Sequence, residues 1–291
     1  MGLSCDHDNR PVDLHVHTTV SDGDLSPSAC VDEAARMGLA AIAITDHDTL
    51  EGNAEAQARG EELGVEVVPG VEISLEHDTL TIHLLGYYPE PDAPELAAVL
   101  RALRGHRDER NPQILRRLGE LGCPVDLAEV LAEAGSGVVG RPHIAAVMIR
   151  KGYVATLNEA FDRYLGKGAP AYVERGKPAP DEAIGALLRA RAVPVLAHPG
   201  AMRARNVDEI ESVVVRLADA GLRGIEAYYS SCDPAQVNMC LRLAKRHGLL
   251  VTGGTDFHGA KKPGILMGRG AGTTHVPYHL LARLKEERDK L

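Results

Sequence analysis

The sequence predicts an α/β barrel interrupted by a subdomain that contains only helices. Strand-like and helix-like segments alternate over residues 10–92, give way to a helical pattern over 93–165, and resume over 166–278. Histidines and carboxylates follow at least five of the predicted strands. In a β/α barrel the carboxyl ends of all strands meet at one rim, whereas an open sheet places its site in one crevice. Side chains from five strands therefore favour a closed barrel.

The first barrel segment alternates strands with capped helices. VDLHV predicts a strand, and the helix after it begins with Ser26 as N-cap and Pro27 in its first turn, ending at Gly38. LAAIAIT predicts a buried strand, followed by a helix that Gly64 closes. VEVVPGVEIS and LTIHLLGYY predict two strands on either side of the turn EHDT.

The helical subdomain begins with two runs that predict two successive helices, APELAAVLRALRGHRDER and PQILRRLGELG. DLAEVLAEAG, RPHIAAVMIRKG and LNEAFDRYLG predict three more helices. The basic residues of 101–117 are predicted to lie on solvated helix faces. The barrel then resumes with the strands APAYV, VPVLAHPG, RGIEAYY and LLVTGGTDFHG, and residues 279–291 form a C-terminal helix or tail.

Composition limits the classes of partner. A net charge of −9 disfavours a surface that tracks long nucleic acids, because such binding depends on Lys and Arg. No apolar run approaches transmembrane length, so no membrane partner is expected. Five cysteines without a C-x-x-C pair, and a polar N-terminus, predict a cytoplasmic protein with reduced thiols. The oligomeric state stays open.

Closely spaced histidines and carboxylates predict a polynuclear metal site. In the H-x-H pair of His15 and His17, both imidazoles lie on one side of the strand, because side chains alternate with a period of two. Asp256 and His258 repeat this spacing in the last predicted strand. Such nitrogen and oxygen donors suit zinc, manganese and iron. The candidate ligands are His15, His17, Asp22, His47, Glu72, His83, His143, Asp256 and His258.

These motifs together resemble the polymerase and histidinol phosphatase (PHP) family. The resemblance rests on DLHVHTTVSDG, ITDHDTLEG, PGVEIS, TIHLLGYY, GRPHIA, AHPG and GGTDFHG, which occur in the family's order over about residues 12–275. It implies a distorted (β/α)7-type PHP barrel, of the stand-alone phosphoesterase type with a helical insertion. Within this fold, residues 10–92 and 166–278 would form the barrel and 93–165 the insertion.

The resemblance also implies two to three divalent ions, with Glu72 as a bridging ligand. The implied ligand sets are His15, His17, Glu72 and Asp256 for the first ion, Glu72, His83 and His143 for the second, and Asp22, His47 and His258 for the third. Asp13, Asp46 and Asp48 are expected to support these ligands, since metal-bound histidines usually donate their other N–H to a carboxylate. For Asp48, a helix N-cap is the alternative.

Three further residues are expected to contact substrate. Arg141, next to the GRPHIA ligand, is predicted to grip a phosphate, and Lys167 resembles the family's phosphate-facing lysine. His198, in AHPG, is predicted to touch the phosphate or to protonate the leaving group. The alternatives are a helix-start arginine, a loop lysine and a structural histidine.

The expected function is hydrolysis of a phosphate ester of a small molecule by a metal-bridging hydroxide, with Glu72 and His198 as catalytic residues. The family branch suggests a nucleotide, either a 3′,5′-bisphosphonucleotide or a nucleoside monophosphate. The alternatives are a 5′–3′ exonuclease on short RNA or DNA, a histidinol-phosphate phosphatase, and a metal-binding module without turnover. Hydrolysis of an amide or lactone gives Arg141 and Lys167 no role.

Overall fold

Eight strands form a nearly closed barrel in the computed structural model, which describes residues 10–77, 80–135, 137–174, 178–202, 204–272 and 274–291. The strands are β1 (Pro11–Val16), β2 (Ala41–Ile44), β3 (Glu66–His77), β4 (Leu80–Tyr87), β5 (Val193–Leu196), β6 (Gly224–Tyr229), β7 (Leu250–Gly254) and β8 (Val276–Pro277). Their order around the sheet is β7-β6-β5-β4-β3-β2-β1-β8.

The barrel is mostly parallel, but β4 runs against both of its neighbours. Strands β1, β2 and β3 pair in parallel, as do β5, β6 and β7. Strand β4 pairs antiparallel with β3 as a hairpin and antiparallel with β5 on its other side. Backbone hydrogen bonds between the end of β1 and the segment after β7 bring these two strands together, with His17 N donating to Phe257 O at 2.9 Å. The predicted barrel is confirmed, and one rim collects the ends of most strands.

Ten helices surround or extend the barrel within the described residues. They are α1 (Pro27–Arg36), α2 (Asn53–Leu63), α3 (Pro94–Glu120), α4 (Leu127–Ala134), α5 (Arg141–Arg150), α6 (Leu157–Ala160), α7 (Pro180–Arg189), α8 (Val207–Asp219), α9 (Pro234–His247) and α10 (Tyr278–Arg288). The Ser26 side chain caps α1 by accepting from Ala29 N, with Pro27 in the first turn, as the sequence predicted. Gly64 ends α2 in the left-handed conformation that glycine adopts without strain.

The region between β4 and α7 packs around a hydrophobic core of its own. Its buried side chains come mainly from the second half of α3, from α4 and from α5, and include Ile114, Leu118, Val130, Ile144, Val147 and Met148. The predicted break between two helices is wrong, because α3 continues through Pro112 as one helix of 27 residues. Proline removes a single backbone donor, and the helix is buried on both sides of it, against the barrel before Pro112 and in the core of the helical region after it.

The predicted strand APAYV is also wrong, because the described residues 169–173 form a turn and an extended segment without a strand. Ala171 N donates to Tyr164 O at 3.0 Å, and Ala171 and Val173 pack into the core of the helical region. This segment is buried against helices instead of pairing in the sheet. None of the helices in the described parts of the chain is long and apolar enough to cross a membrane.

Candidate metal centre

Glu72, on β3, lies at the middle of five imidazole rings at the barrel rim. Its Oε2 is 3.1 Å from His17 Nε2, 3.1 Å from His47 Nδ1 and 3.4 Å from His15 Nε2. Its Oε1 faces the other side, 2.8 Å from His83 Nδ1 and 3.2 Å from His198 Nε2. The side chain is 1 % exposed. The two oxygens of one buried carboxylate thus face two separate groups of donors, which is the arrangement that a bridging ligand requires.

Three groups of donor atoms are close enough to hold a cation each. Within each group the ligand atoms lie within 4.8 Å of one another. The groups are His15, His17 and Asp256; Glu72, His83 and His198; and His17, Asp22, His47 and His258. Eight of the nine residues predicted as ligands therefore meet in these three groups, and the ninth, His143, belongs to none of them.

The second group differs from the predicted one because of the reversed direction of β4. The antiparallel register pairs Leu84 with Leu196, and Ala197 N donates to His83 O at 3.0 Å. The pairing places His198 beside His83 and Glu72. His143 instead lies in the first turn of α5, in the helical region. The structure thus puts His198 in the place that the sequence analysis gave to His143.

The donors fit divalent cations. Nε2 of His15 and Nε2 of His17 are 3.1 Å apart, and both face Glu72 Oε2. His15 Nδ1 lies 3.0 Å from Glu226 Oε1, so the neutral ring carries its proton on Nδ1 and directs the Nε2 lone pair at the centre. Such an inward lone pair, next to buried carboxylates, is what a metal ligand presents.

The acidic groups of the centre are ionised. Burial opposes ionisation of Glu72, but the adjacent imidazoles, led by His47 and His83, hold its pKa well below the ordinary value. Asp22 is affected in the same way, since His258 and His47 outweigh the effect of burial on its pKa. Burial also disfavours the charged form of His17, yet its contacts with Asp256 and Glu72 raise its pKa to about 10. In the metal-free protein, protons on His15 and His17 therefore replace part of the charge that cations would supply, whereas burial lowers the pKa of His47 to about 3 and leaves that ring neutral.

Glu226, on β6, is the main supporting residue that the sequence analysis missed. It is fully buried, and its two oxygens contact His15 Nδ1 at 3.0 and 3.3 Å. Its Oε2 also accepts from His198 N at 2.8 Å. One carboxylate therefore orients members of two donor groups. In the sequence Glu226 sits within RGIEAYY, a strand that carries no histidine and thus gave no metal signal.

Two of the three aspartates predicted to support the ligands, Asp13 and Asp46, bond the loops that carry them. Asp46 accepts from Thr18 N at 2.8 Å and from Ser21 Oγ at 2.6 Å, and it reaches His17 only through Ser21. Asp13 accepts from the amides of His15, Thr255 and Gly268. Both therefore fix the loops that carry the ligands.

Asp48 takes a different partner. The N-cap alternative is wrong, because Gly52 occupies the N-cap position of α2. Asp48 accepts from both Nε and Nη2 of Arg107, on α3. Arg107 and Arg110 are 8 % and 6 % exposed, so the prediction that the basic residues of 101–117 are solvated is wrong for these two. The buried pair of Asp48 and Arg107 links the helical region to the barrel rim.

Lys262 and Tyr229 hold Asp256 from the side away from the histidines. Lys262 Nζ lies 2.7 Å from Asp256 Oδ2, and Tyr229 Oη donates to the same oxygen at 2.8 Å. The other oxygen, Oδ1, lies 3.3 Å from His17 Nε2. Only one oxygen of Asp256 therefore faces the cation position. Lys262 follows the GGTDFH motif by four residues, and nothing in the sequence pattern singled it out.

Arg141 and Lys167 lie in the helical region. Arg141 Nη1 donates to Leu165 O at 2.8 Å, and the guanidinium stacks over the rings of Phe161 and Tyr172 at 5.4 and 5.5 Å. Lys167 is exposed in the turn that follows Leu165. A phosphate role for these two residues stays a prediction.

Three non-glycine residues at this rim have left-handed backbone conformations. They are Asp48, His198 and Asp256, with φ of 57°, 32° and 53°. Such conformations cost of order 1–3 kcal/mol each and persist where the surrounding structure enforces them. Glu226 helps to hold the backbone of His198, because it accepts a hydrogen bond from His198 N.

Comparison with known proteins agrees with this geometry. The PHP domain family matches residues 13–160. A 3′,5′-nucleoside bisphosphate phosphatase of Chromobacterium violaceum is 34% identical over 85% of this chain and 87% of its own length. A 5′–3′ exoribonuclease of Haemophilus influenzae is 33% identical over 86% of this chain and 90% of its own. The crystal structure of a metal-dependent phosphoesterase from Bifidobacterium adolescentis has a TM-score of 0.85 at 31% identity, covering 96% of each chain.

Proposed function

The chain belongs to the PHP domain family and is a phosphoesterase, and we propose that it removes a phosphate group from a small nucleotide, with a 3′,5′-bisphosphonucleotide as the leading substrate. The observation that carries the proposal is the position of Glu72, whose two oxygens face two separate groups of imidazoles. The bisphosphate phosphatase of Chromobacterium violaceum supports the substrate class. The net charge of −9 favours a small substrate over a polymer.

We propose that the centre holds two to three divalent ions of manganese, zinc or iron. When bound, such ions polarise phosphoryl oxygens and lower the pKa of coordinated water. The proposed ligands are His15, His17, Asp22, His47, Glu72, His83, His198, Asp256 and His258. His198 thereby becomes a ligand candidate because its Nε2 faces Glu72 at 3.2 Å, and its contact with the phosphate or the leaving group stays a prediction.

In this proposal, some side chains hold the donor atoms in place and two cationic side chains bind the negatively charged phosphate. Glu226 and Lys262 keep the donor atoms in place, as described above. Arg141 and Lys167 are proposed to bind phosphate oxygens at the edge of the helical region, where a planar guanidinium can bond two oxygens at once.

We further propose a barrel of residues 10–92 and 166–278, an insertion of 93–165 and a C-terminal helix over 279–291. The described cysteines are free thiols, which supports a cytoplasmic location.

A phosphate-release screen with Mn²⁺ tests the proposed substrate class. The substrates are a 3′,5′-bisphosphonucleotide, the matching 3′- and 5′-monophosphates, a short 5′-phosphorylated RNA and histidinol phosphate. We expect the bisphosphonucleotide to give the highest kcat/KM. A higher value for the RNA, with mononucleotides as products, would favour the exoribonuclease activity of the Haemophilus influenzae relative. Phosphate release from histidinol phosphate alone would overturn the nucleotide assignment.

A further inference from the structure

His143 carries a buried polar atom that the metal centre does not use. The residue is 1 % exposed, and its Nε2 has no hydrogen-bond partner in the described parts of the chain. It belongs to none of the three donor groups. An unpaired buried donor or acceptor is costly, so such an atom in a native protein calls for a partner that the folded chain does not itself supply.

The hydrogen bond of the other ring nitrogen, Nδ1, shows whether Nε2 carries the proton. His143 Nδ1 accepts a hydrogen bond from Gly140 N at 3.0 Å, closing the first turn of α5. A nitrogen that accepts carries no proton, so in the neutral ring the proton resides on Nε2. His143 Nε2 is therefore a donor. Metal ligation through Nε2 would need the opposite tautomer and would leave Gly140 N–H facing another N–H.

The helix that carries His143 begins beside the loop that carries Asp22. The loop before α5 lies on the β1–α1 loop that carries Asp22, with Val138 N donating to Val20 O at 2.9 Å. The contact is close, since a Cβ at Gly137 would lie 2.4 Å from Thr19 O. Burial, more than the nearby charges of Asp22 and Lys261, lowers the pKa of His143 to about 4, so the ring is neutral.

We propose that His143 is a substrate ligand, whose Nε2–H donates to a phosphoryl oxygen of a substrate bound at the metal centre. The inference rests on the proposed phosphatase function. A phosphoryl oxygen is a strong acceptor and supplies the partner that His143 lacks, whereas a cation cannot accept a hydrogen bond. The Gly140 contact holds the ring in the tautomer that donates, so the donor is oriented before substrate arrives.

Two substitutions separate the two nitrogens of the ring. His143→Asn keeps an acceptor near the Nδ1 position for Gly140 N–H and removes the distal donor. His143→Gln keeps an N–H donor near the Nε2 position. Both are compared with the wild-type protein, loaded with Mn²⁺, for metal content by elemental analysis and for binding of inorganic phosphate by calorimetry. Phosphate binding gives a readout that does not depend on knowing the substrate.

We expect all three proteins to hold the same number of ions per chain. His143→Asn should bind inorganic phosphate roughly 10- to 150-fold more weakly, the range for a hydrogen bond to a charged group. His143→Gln should stay within about threefold of wild type on the same scale. Loss of an ion from His143→Asn would make His143 a metal ligand, and unchanged phosphate affinity in that variant would make it structural; either overturns the proposal. A wild-type protein that binds phosphate but hydrolyses no nucleotide would instead refute the proposed substrate class alone.

Discussion

Replacing Glu72 by glutamine should remove metal and activity together. The substitution keeps the size of the side chain but removes the charge and gives one of the two positions an amide donor. Oε1 serves His83 and His198, while Oε2 serves His15, His17 and His47 at 3.1–3.4 Å, so whichever position becomes the amide loses a ligand. Even an outer partner of a metal ligand contributes roughly 10- to 100-fold in affinity or activity. With two sites affected, the combined loss should be roughly 10²- to 10⁴-fold.

The assay is elemental analysis of purified, Mn²⁺-reconstituted protein alongside kcat/KM for phosphate release. Glu66→Gln is the matched control, because Glu66 lies on the same strand but pairs with Lys285 at the opposite end. The control should keep its metal and its turnover. Glu72→Gln with two or more ions per chain and kcat/KM within tenfold of wild type would refute the bridging role.

Three further outcomes follow from the contacts of the site. Arg107→Met should lower the free energy of unfolding by about 3–5 kcal/mol, because it leaves the buried Asp48 carboxylate unpaired, whereas Arg104→Met, which breaks an exposed pair with Glu51, should cost about 1 kcal/mol or less. Denaturant titrations measure both, and equal losses would contradict the argument. In the metal-free protein the raised pKa of His17, about 10 against 6.5, stabilises the fold fully below pH 6.5 and ceases to do so as pH rises through 10. The Tm advantage of wild type over His17→Asn in EDTA should therefore shrink over that range, and a constant difference would exclude the charged ring. Arg141→Ala should keep its metal but lose roughly 10- to 150-fold in kcat/KM if the guanidinium binds phosphate, and unchanged kinetics would leave Arg141 with its stacking role alone.

The sequence predicted most of the side chains that meet at the barrel rim, because these side chains are tied to strand ends. His15 and His17 lie on one strand with the period of a pleat, and Asp256 and His258 follow another strand. Such spacing is a local property, and closure of a barrel then brings all the strand ends to one rim. The caps of α1 and the hairpin of β3 and β4 were predicted for the same reason, since each depends on a few adjacent residues.

The errors arose where distant segments decide the outcome. His143 and His198 each lie within a short motif, and only the antiparallel pairing of β4 with β5 places His198 beside His83. Glu226 lies between apolar residues and becomes a partner of His15 only when β6 takes its place in the barrel. Arg107 is one of many charged residues in α3, and only the folded chain brings it to Asp48. These are tertiary contacts between residues far apart in the chain, and no local pattern encodes them.

Anomalous diffraction from crystals of the Mn²⁺-loaded protein tests the central claim most directly. We predict two to three peaks around Glu72, with one peak contacting both His83 and His198 and none contacting His143. A single peak, or a peak whose ligands include His143 in place of His198, would contradict the bridged centre that the structure supports.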